Sequence, residues 1–293
     1  MPSMVKRQAI ITFLGAALLL LFLAGCTSST PTPVPTRTPL PSPSPTVSTP
    51  VLVEPSPTPD PCIGTRGQVD RVAFDSTSLT YFYIYLPECY VRDDETRYPV
   101  LYLLHGQTYE ADQWQRLGAV ELAGALMEAG ELPPFLIVMP FNVASWRGAN
   151  VDEFGEVLVN EFVPFIDENY RTLAVPESRA LGGLSRGGGW AIRYGLTRPD
   201  MFGAFGAHSP AIFYLDYSKL DDWLEEIPAD EMPLVYLDIG DGDGDLANAR
   251  SFADLLAEAG VVHEWHLYAG AHEESYWQAH VEEYLRWYGK VFE

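Results

Sequence analysis

The chain has 293 residues, 47% of them apolar and 13% aromatic, and a formal net charge of −22 at pH 7. The apolar share is enough for a sizeable core. The acidic balance argues against nucleic acid and against docking on anionic lipid, and suits solubility and neutral or cationic partners.

At the start, Lys6 and Arg7 precede an apolar stretch from Ala9 to Gly25, broken only by Thr12 and ending in Leu23-Ala24-Gly25-Cys26. A basic start, a hydrophobic run and small residues before a cut describe a secretory signal over residues 1–25. The cysteine directly after Leu-Ala-Gly resembles a bacterial lipoprotein signal, in which Cys26 becomes the lipidated first residue. The run is nearly long enough to act instead as an uncleaved membrane anchor. Both readings place the rest of the chain outside the cytoplasm. Of the 35 residues from 27 to 61, 26 are Pro, Ser or Thr. Such a linker has too little apolar surface to offset its ordering entropy. Its prolines hold it extended at ~3.1 Å per residue, a reach of roughly 100 Å.

From Cys62 to Glu293 the composition becomes that of one folded domain. This region holds 15 Lys plus Arg against 38 Asp plus Glu, a net charge of −23. Cys62 and Cys89 are a candidate disulfide, since two cysteines outside the cytoplasm usually pair. The loop would tie the domain's entry to the start of its sheet and add ~3 kcal/mol. Two thiols without further Cys or His spacing do not make a metal site.

Leu79–Leu86 is aromatic and β-branched and stops at Pro87. Tyr98–Leu104 is a continuous apolar run ending in His105-Gly106. Trp114–Glu128 reads as a helix with Leu117, Val120, Ala123, Leu126 and Met127 on one face. Phe135–Met139 reads as a buried strand ended by Pro140. Phe154, Val157, Leu158, Phe162, Phe165 and Ile166 recur at helical spacing. Arg179–Leu184 is a strand, Gly187–Thr197 a helix and Phe202–Ala207 a strand. Leu234–Ile239, Leu246–Glu258 and His263–Tyr268 read as strand, helix and strand. A last helix carries Trp277, Val281, Tyr284, Leu285 and Tyr288 as its stripe. Alternating strands and helices, with strands apolar on both faces, predict an α/β fold with a mostly parallel sheet. Sites in such sheets lie beyond the carboxyl ends of the strands.

Residues 183–187, Gly-Leu-Ser-Arg-Gly, form a G-x-S-x-G pattern between a predicted strand and a predicted helix. That context makes Ser185 a candidate nucleophile on a sharp elbow, where flanking glycines relieve crowding. A serine hydroxyl needs a base to take its proton. Six histidines are available. His263 and His266 fall within a strand and His280 within a helix, which suits packing or solvation. His105 and His208 follow strands. His272 lies in Gly270-Ala271-His272 between the last strand and the last helix, after Ser185 in the chain. It alone leaves room for an intervening acid on a strand-end loop, as the Ser, acid, His order requires. The acid candidates are Asp241, Asp243 and Asp245, while Asp238 falls inside the strand. A calcium loop fails, because its sixth position is Leu246 and its twelfth Phe252. Backbone N–H groups of Arg186 and Gln107 are candidate oxyanion donors.

With these residues assembled, the chain from about Val69 onward resembles the bacterial putative-esterase family, which includes esterase D, feruloyl esterases, enterochelin esterases and the mycolyltransferases. The carriers are Tyr98-Pro99-Val100-Leu101-Tyr102-Leu103-Leu104-His105-Gly106, then Gly182-Gly183-Leu184-Ser185-Arg186-Gly187-Gly188, then Pro199-Asp200-Met201-Phe202-Gly203. Asp238-Ile239-Gly240-Asp241-Gly242-Asp243, Gly270-Ala271-His272 and Tyr276-Trp277 follow. The resemblance implies an α/β-hydrolase core and a two-step acyl-enzyme reaction, with no metal or organic cofactor. It selects Asp243 as the acid, three residues after the strand-ending glycine. Arg186 stands where many members have Met, and Asn142 where many have Asp. The same triad would serve an acyltransferase, in which a sugar or lipid hydroxyl replaces water. A non-catalytic binding module on the same fold is the third reading. Phe213, Tyr214, Tyr217 and Trp223 fall between two strands, where they either form a small cap for a sugar or phenolic ring or pack the segment down.

Overall fold

The computed structural model describes residues 67–88, 90 and 95–293. The expected signal, lipidated Cys26, linker and the Cys62–Cys89 pair lie outside the described residues. Among the described residues, no helix is long and apolar enough to cross a membrane.

In chain order the elements are β1 (Gln68–Ala73), β2 (Leu79–Leu86), β3 (Val100–Leu104), α1 (Gln113–Arg116), α2 (Ala119–Glu128) and β4 (Leu136–Asn142). Next come α3 (Phe154–Val157), a π turn over Leu158–Phe162, α4 (Val163–Asn169), β5 (Arg179–Leu184), α5 (Arg186–Thr197) and β6 (Ala204–His208). The chain closes with α6 (Leu220–Glu226), β7 (Leu234–Gly240), α7 (Leu246–Glu258), β8 (His263–Tyr268) and α8 (Glu274–Val291). The strands form one sheet in the order β1-β2-β4-β3-β5-β6-β7-β8. β3 to β8 run parallel, and β1 and β2 add antiparallel at one edge.

The apolar runs follow from this layering. Along β3, Val100, Tyr102 and Leu104 enter one core while Leu101 and Leu103 enter the other. A strand covered on both faces has no reason to alternate with polar residues. One core is closed by α3, α4, α5, α6 and α7, with Phe162, Trp190, Leu224 and Phe252 among its members. The other is closed by α2 and α8, with Trp114, Leu126, Trp277 and Tyr284. The outer strands β1 and β8 are less buried, as edges must be.

Several boundaries differ from the sequence reading. The expected helix Trp114–Glu128 is two helices, because Gly118 takes φ +89° and ends the first. Pro140 does not end β4. Its strand runs on to Asn142, because pairing with β3 stops at Val138 and Pro140 faces only the antiparallel partner Phe82. The missing N–H therefore breaks no ladder on the β3 side. The strand expected at Phe202–Ala207 lies at Ala204–His208, and β1 carries no apolar alternation strong enough to have been read. The helical spacing over 154–166 is real, but the middle of that segment is a π turn.

Candidate active site

Consecutive crossovers leave the sheet on opposite sides of β3 and β5, because β4 lies beyond β3 while β6 lies beyond β5. A crevice opens at such a reversal, outside the carboxyl ends of the strands. The loop after β3 carries Gln107, and the turn after β5 carries Ser185. The loops after β7 and β8 bring Asp243 and His272.

Ser185 has φ 53° and ψ −118°, a left-handed backbone that a non-glycine residue adopts at a cost. Tertiary contacts hold it there. Its N–H donates to the His208 carbonyl at 2.9 Å, and its carbonyl accepts from Gly189 N–H at 3.0 Å and Ala211 N–H at 2.9 Å. The flanking glycines are required by space. A Cβ on Gly183 would collide with the Gly187 backbone, and one on Gly187 with the Leu104 carbonyl.

The structure brings Ser185, His272 and Asp243 into one line. Ser185 Oγ lies 2.8 Å from His272 Nε2, and His272 Nδ1 lies 2.8 Å from Asp243 Oδ2. The His272 side chain is about one-third exposed, whereas the Asp243 carboxylate is buried. The hydrogen bond to Asp243 raises the His272 pKa above its usual 6.5 against the opposing effect of burial. Burial pushes Asp243 up, but hydrogen bonds from His272 and the Asp245 N–H outweigh it and hold the carboxyl below its usual range. The Trp277 ring packs edge-on to His272 with centroids 5.1 Å apart.

The other carboxylates have different duties. Asp241 accepts the Gly270 N–H at 3.0 Å and pins the His272 loop to the Asp243 loop. Asp245 sits at the N-terminus of α7. Ligand atoms of Asp243, Asp245 and His272 lie within 4.8 Å of one another, a spacing a metal could use. An ion on His272 Nδ1 would displace its hydrogen bond to Asp243. Asp238, read as a strand residue, is fully buried and accepts from His208 Nδ1, Tyr276 and Tyr284, each at 2.7 Å. Burial and the Asp238 charge push both tyrosines well up, so they remain donors. Through the His208 carbonyl this network reaches the Ser185 turn. His263, His266 and His280 bond or stack with other groups and do not reach Ser185.

His105 is structural. Its Nδ1–H donates to the Gly106 carbonyl at 2.7 Å, and its Nε2 accepts the Asn142 N–H at 2.9 Å. Burial lowers its pKa from 6.5 to about 4, so the ring is neutral near pH 7. Because the folded value lies below the unfolded one, the unfolded chain takes up the proton first as pH falls. This contribution is full above pH 6.5 and is lost between 6.5 and about 4. It amounts to about 3 kcal/mol. His105→Gln keeps an acceptor for Asn142 and should flatten the fall of Tm with pH across that window. An unchanged slope would assign the acid sensitivity to other groups.

Gly106 and Thr108, on either side of Gln107, are held by partners that the sequence did not announce. Gln113 Oε1 accepts the Gly106 N–H at 2.8 Å, and Ser145 Oγ accepts the Thr108 N–H at 3.1 Å. The backbone N–H groups of Gln107 and Arg186 have no hydrogen-bond partner among the described residues. Both residues line a cleft of about 470 Å³ beside the elbow, walled by Ile212, Phe213, Tyr214 and Arg193. Phe213 packs on Trp190 at 4.8 Å, and Tyr214 is 86% exposed at the rim. Tyr217 and Trp223 instead pack onto the core. The expected aromatic cap is thus half cleft wall and half packing.

A mostly parallel sheet with a positive-φ serine between β5 and α5 defines an α/β-hydrolase-fold protein. The chain belongs to the Putative esterase family, whose model matches residues 78–288. It is 31% identical over 223 residues to a protein of Xylanibacter ruminicola named endo-1,4-beta-xylanase/feruloyl esterase, covering 68% of this chain and 29% of that one. It is also 31% identical over 169 residues to an esterase of Mycobacterium tuberculosis, covering 54% of this chain and 34% of the other. The chain therefore spans about a third of the length of these curated relatives. A solved ferulic acid esterase superposes with a TM-score of 0.69 at 26% identity, covering 78% of this chain and 100% of that one.

Proposed function

We propose that the protein is a serine carboxylic ester hydrolase that works through an acyl-enzyme on Ser185. The observation that carries this reading is the relay from Ser185 Oγ through His272 to Asp243, with both contacts at 2.8 Å. The two unpaired N–H groups beside it support the same conclusion.

In this reaction His272 Nε2 takes the Ser185 proton as Oγ bonds to the ester carbonyl carbon. The carbonyl oxygen becomes an oxyanion and accepts the N–H groups of Gln107 and Arg186, which are fixed before the charge develops. Asp243 stays ionised and stabilises the imidazolium. His272 returns its proton to the departing alcohol, and the carbonyl re-forms as the acyl-enzyme. Water then repeats the cycle with His272 as base and releases the acid. His272 carries each transferred proton, so the scheme calls on no cofactor.

The proposed reaction also gives the two halves of the ester different sides. The alcohol must receive its proton from His272 and so leaves on that side. The 470 Å³ cleft includes no residue of the His272 or Asp243 loops in its lining. This supports the cleft as the side that takes the acyl group, with a volume in the range of small-molecule sites. The names of the relatives favour esters of hydroxycinnamic acids, including those linked to polysaccharide. The leader over residues 1–25, the Cys26 that follows it and the Pro/Ser/Thr-rich linker support export and a lipid tether at the cell membrane.

A panel of simple carboxylic esters should be hydrolysed by the wild-type domain and not by Ser185→Ala. Equal turnover by both would remove Ser185 from the mechanism. Products measured with and without an added polyol separate hydrolysis from acyl transfer, and free acid should form in both cases.

A further inference from the structure

Arg186 stands in the wall of the cleft. It is 6% exposed, and its Nη2 donates to Asp152 Oδ2 at 2.6 Å. A guanidinium has five N–H groups, and this ion pair uses one. Nε is buried without a partner and out of reach of the cleft, so Nη1, which has no partner among the described residues, is the donor left for a ligand. The side chain is also held in place. Asp152 Oδ2 accepts from Asn142 Nδ2 at 2.9 Å, and Asp152 Oδ1 accepts the Phe154 N–H at 3.1 Å. The Trp190 and Phe213 rings lie 5.7 and 5.5 Å from the guanidinium carbon. Asn142 completes this arrangement as a donor. An aspartate there would set two carboxylates against each other.

The charge at the cleft is balanced. Asp152 faces Arg186, and Asp216 holds Arg193 through two bonds of 2.8 Å. A carboxylate on the ligand would lose its water beside Ile212 and Phe213 and gain no net positive charge in return. A plain hydrocarbon would shut Nη1 off from water and leave it unpaired, which is unfavourable for a charged donor. A neutral oxygen supplies an acceptor without an added charge. The geometry points to Arg186 as a specificity residue, whose guanidinium makes the cleft select acyl groups bearing a neutral oxygen acceptor, a hydroxyl or an ether. The inference rests on the ester-hydrolase reading and deepens it.

The test uses methyl cinnamates that differ only at ring positions 3 and 4, carrying hydrogen, hydroxyl, methoxy or carboxylate. Methionine alone at 186 would strand a buried Asp152, so Arg186→Met is combined with Asp152→Asn, which exchanges the ion pair for neutral groups. A cooperative melt verifies that the double variant folds. Wild type should favour a hydroxyl or methoxy ester over the unsubstituted one by about tenfold or more in kcat/KM, the scale of a charge-assisted hydrogen bond. In the double variant that ratio should fall to about twofold or less. The same ratio in both proteins, or a wild-type preference for the carboxylate, would overturn the inference. Binding of the matching unreactive amides to Ser185→Ala separates the two claims. If wild type cleaves none of the esters while amide binding keeps the Arg186-dependent ranking, the hydrolase reading fails and the binding site stands. If the esters are cleaved without any ranking, the Arg186 assignment fails alone.

Discussion

Replacing Ser185 with alanine should lower kcat for ester hydrolysis by about 10⁵-fold or more, with KM nearly unchanged. The loss is large because Ser185 Oγ is the hydroxyl held 2.8 Å from His272 Nε2. The turn that carries Ser185 fixes its backbone through His208, Gly189 and Ala211. Alanine keeps that turn and removes only the attacking oxygen. What remains should be the weak catalysis that the oxyanion donors and the bound geometry give without a covalent step. Steady-state kinetics on one ester, with the melting temperature as a check on folding, measures this. A loss below about tenfold would show that the oxygen of Ser185 does not attack.

Asp243→Asn should lower kcat by about 10⁴-fold, whereas Asp241→Asn and Asp245→Asn should each cost only a few-fold. All three stand within five residues on one loop, so the contrast tests geometry rather than composition. Only Asp243 is buried and bonded to His272 Nδ1. An amide in its place offers an N–H to a ring nitrogen that must itself donate, which favours the wrong tautomer. A pH profile adds an independent readout. The base works unprotonated, and Asp243 raises its pKa above 6.5, so wild-type kcat/KM should rise with pH through a value above 6.5. Asp243→Asn should move that rise to lower pH. A larger loss in Asp241→Asn or Asp245→Asn would move the acid to that position.

Much of this site could be read from the chain because its key groups follow strands in a fixed order. A run such as Val100–Leu104 announces a doubly covered strand. Gly183 and Gly187 announce an elbow, since nothing larger fits between the turn and Leu104. The choice among three aspartates was different. Spacing left Asp241, Asp243 and Asp245 open, and the selection of Asp243 came from the family resemblance. The contact itself depends on how β7 and β8 pair, which is a long-range fact. The supports of the site were not legible. Asp152 lies in a loop without pattern, and Gln113 in a one-turn helix. Their partners are far away in sequence, and neither period nor composition marks them. His105 looked like a candidate base, and only its two partners reveal that it braces the Gln107 loop. The same holds for Pro140, which ends a strand by local rules but not where the neighbour on one side has already stopped.

The central claim is that Ser185 forms the covalent intermediate. A fluorophosphonate probe forms a stable bond to an activated serine oxygen, and peptide mass spectrometry locates it. The expected result is one equivalent of label on the peptide containing Ser185, lost in Ser185→Ala and strongly slowed in His272→Ala. Labelling of another residue, or equal labelling of wild type and Ser185→Ala, would contradict the claim.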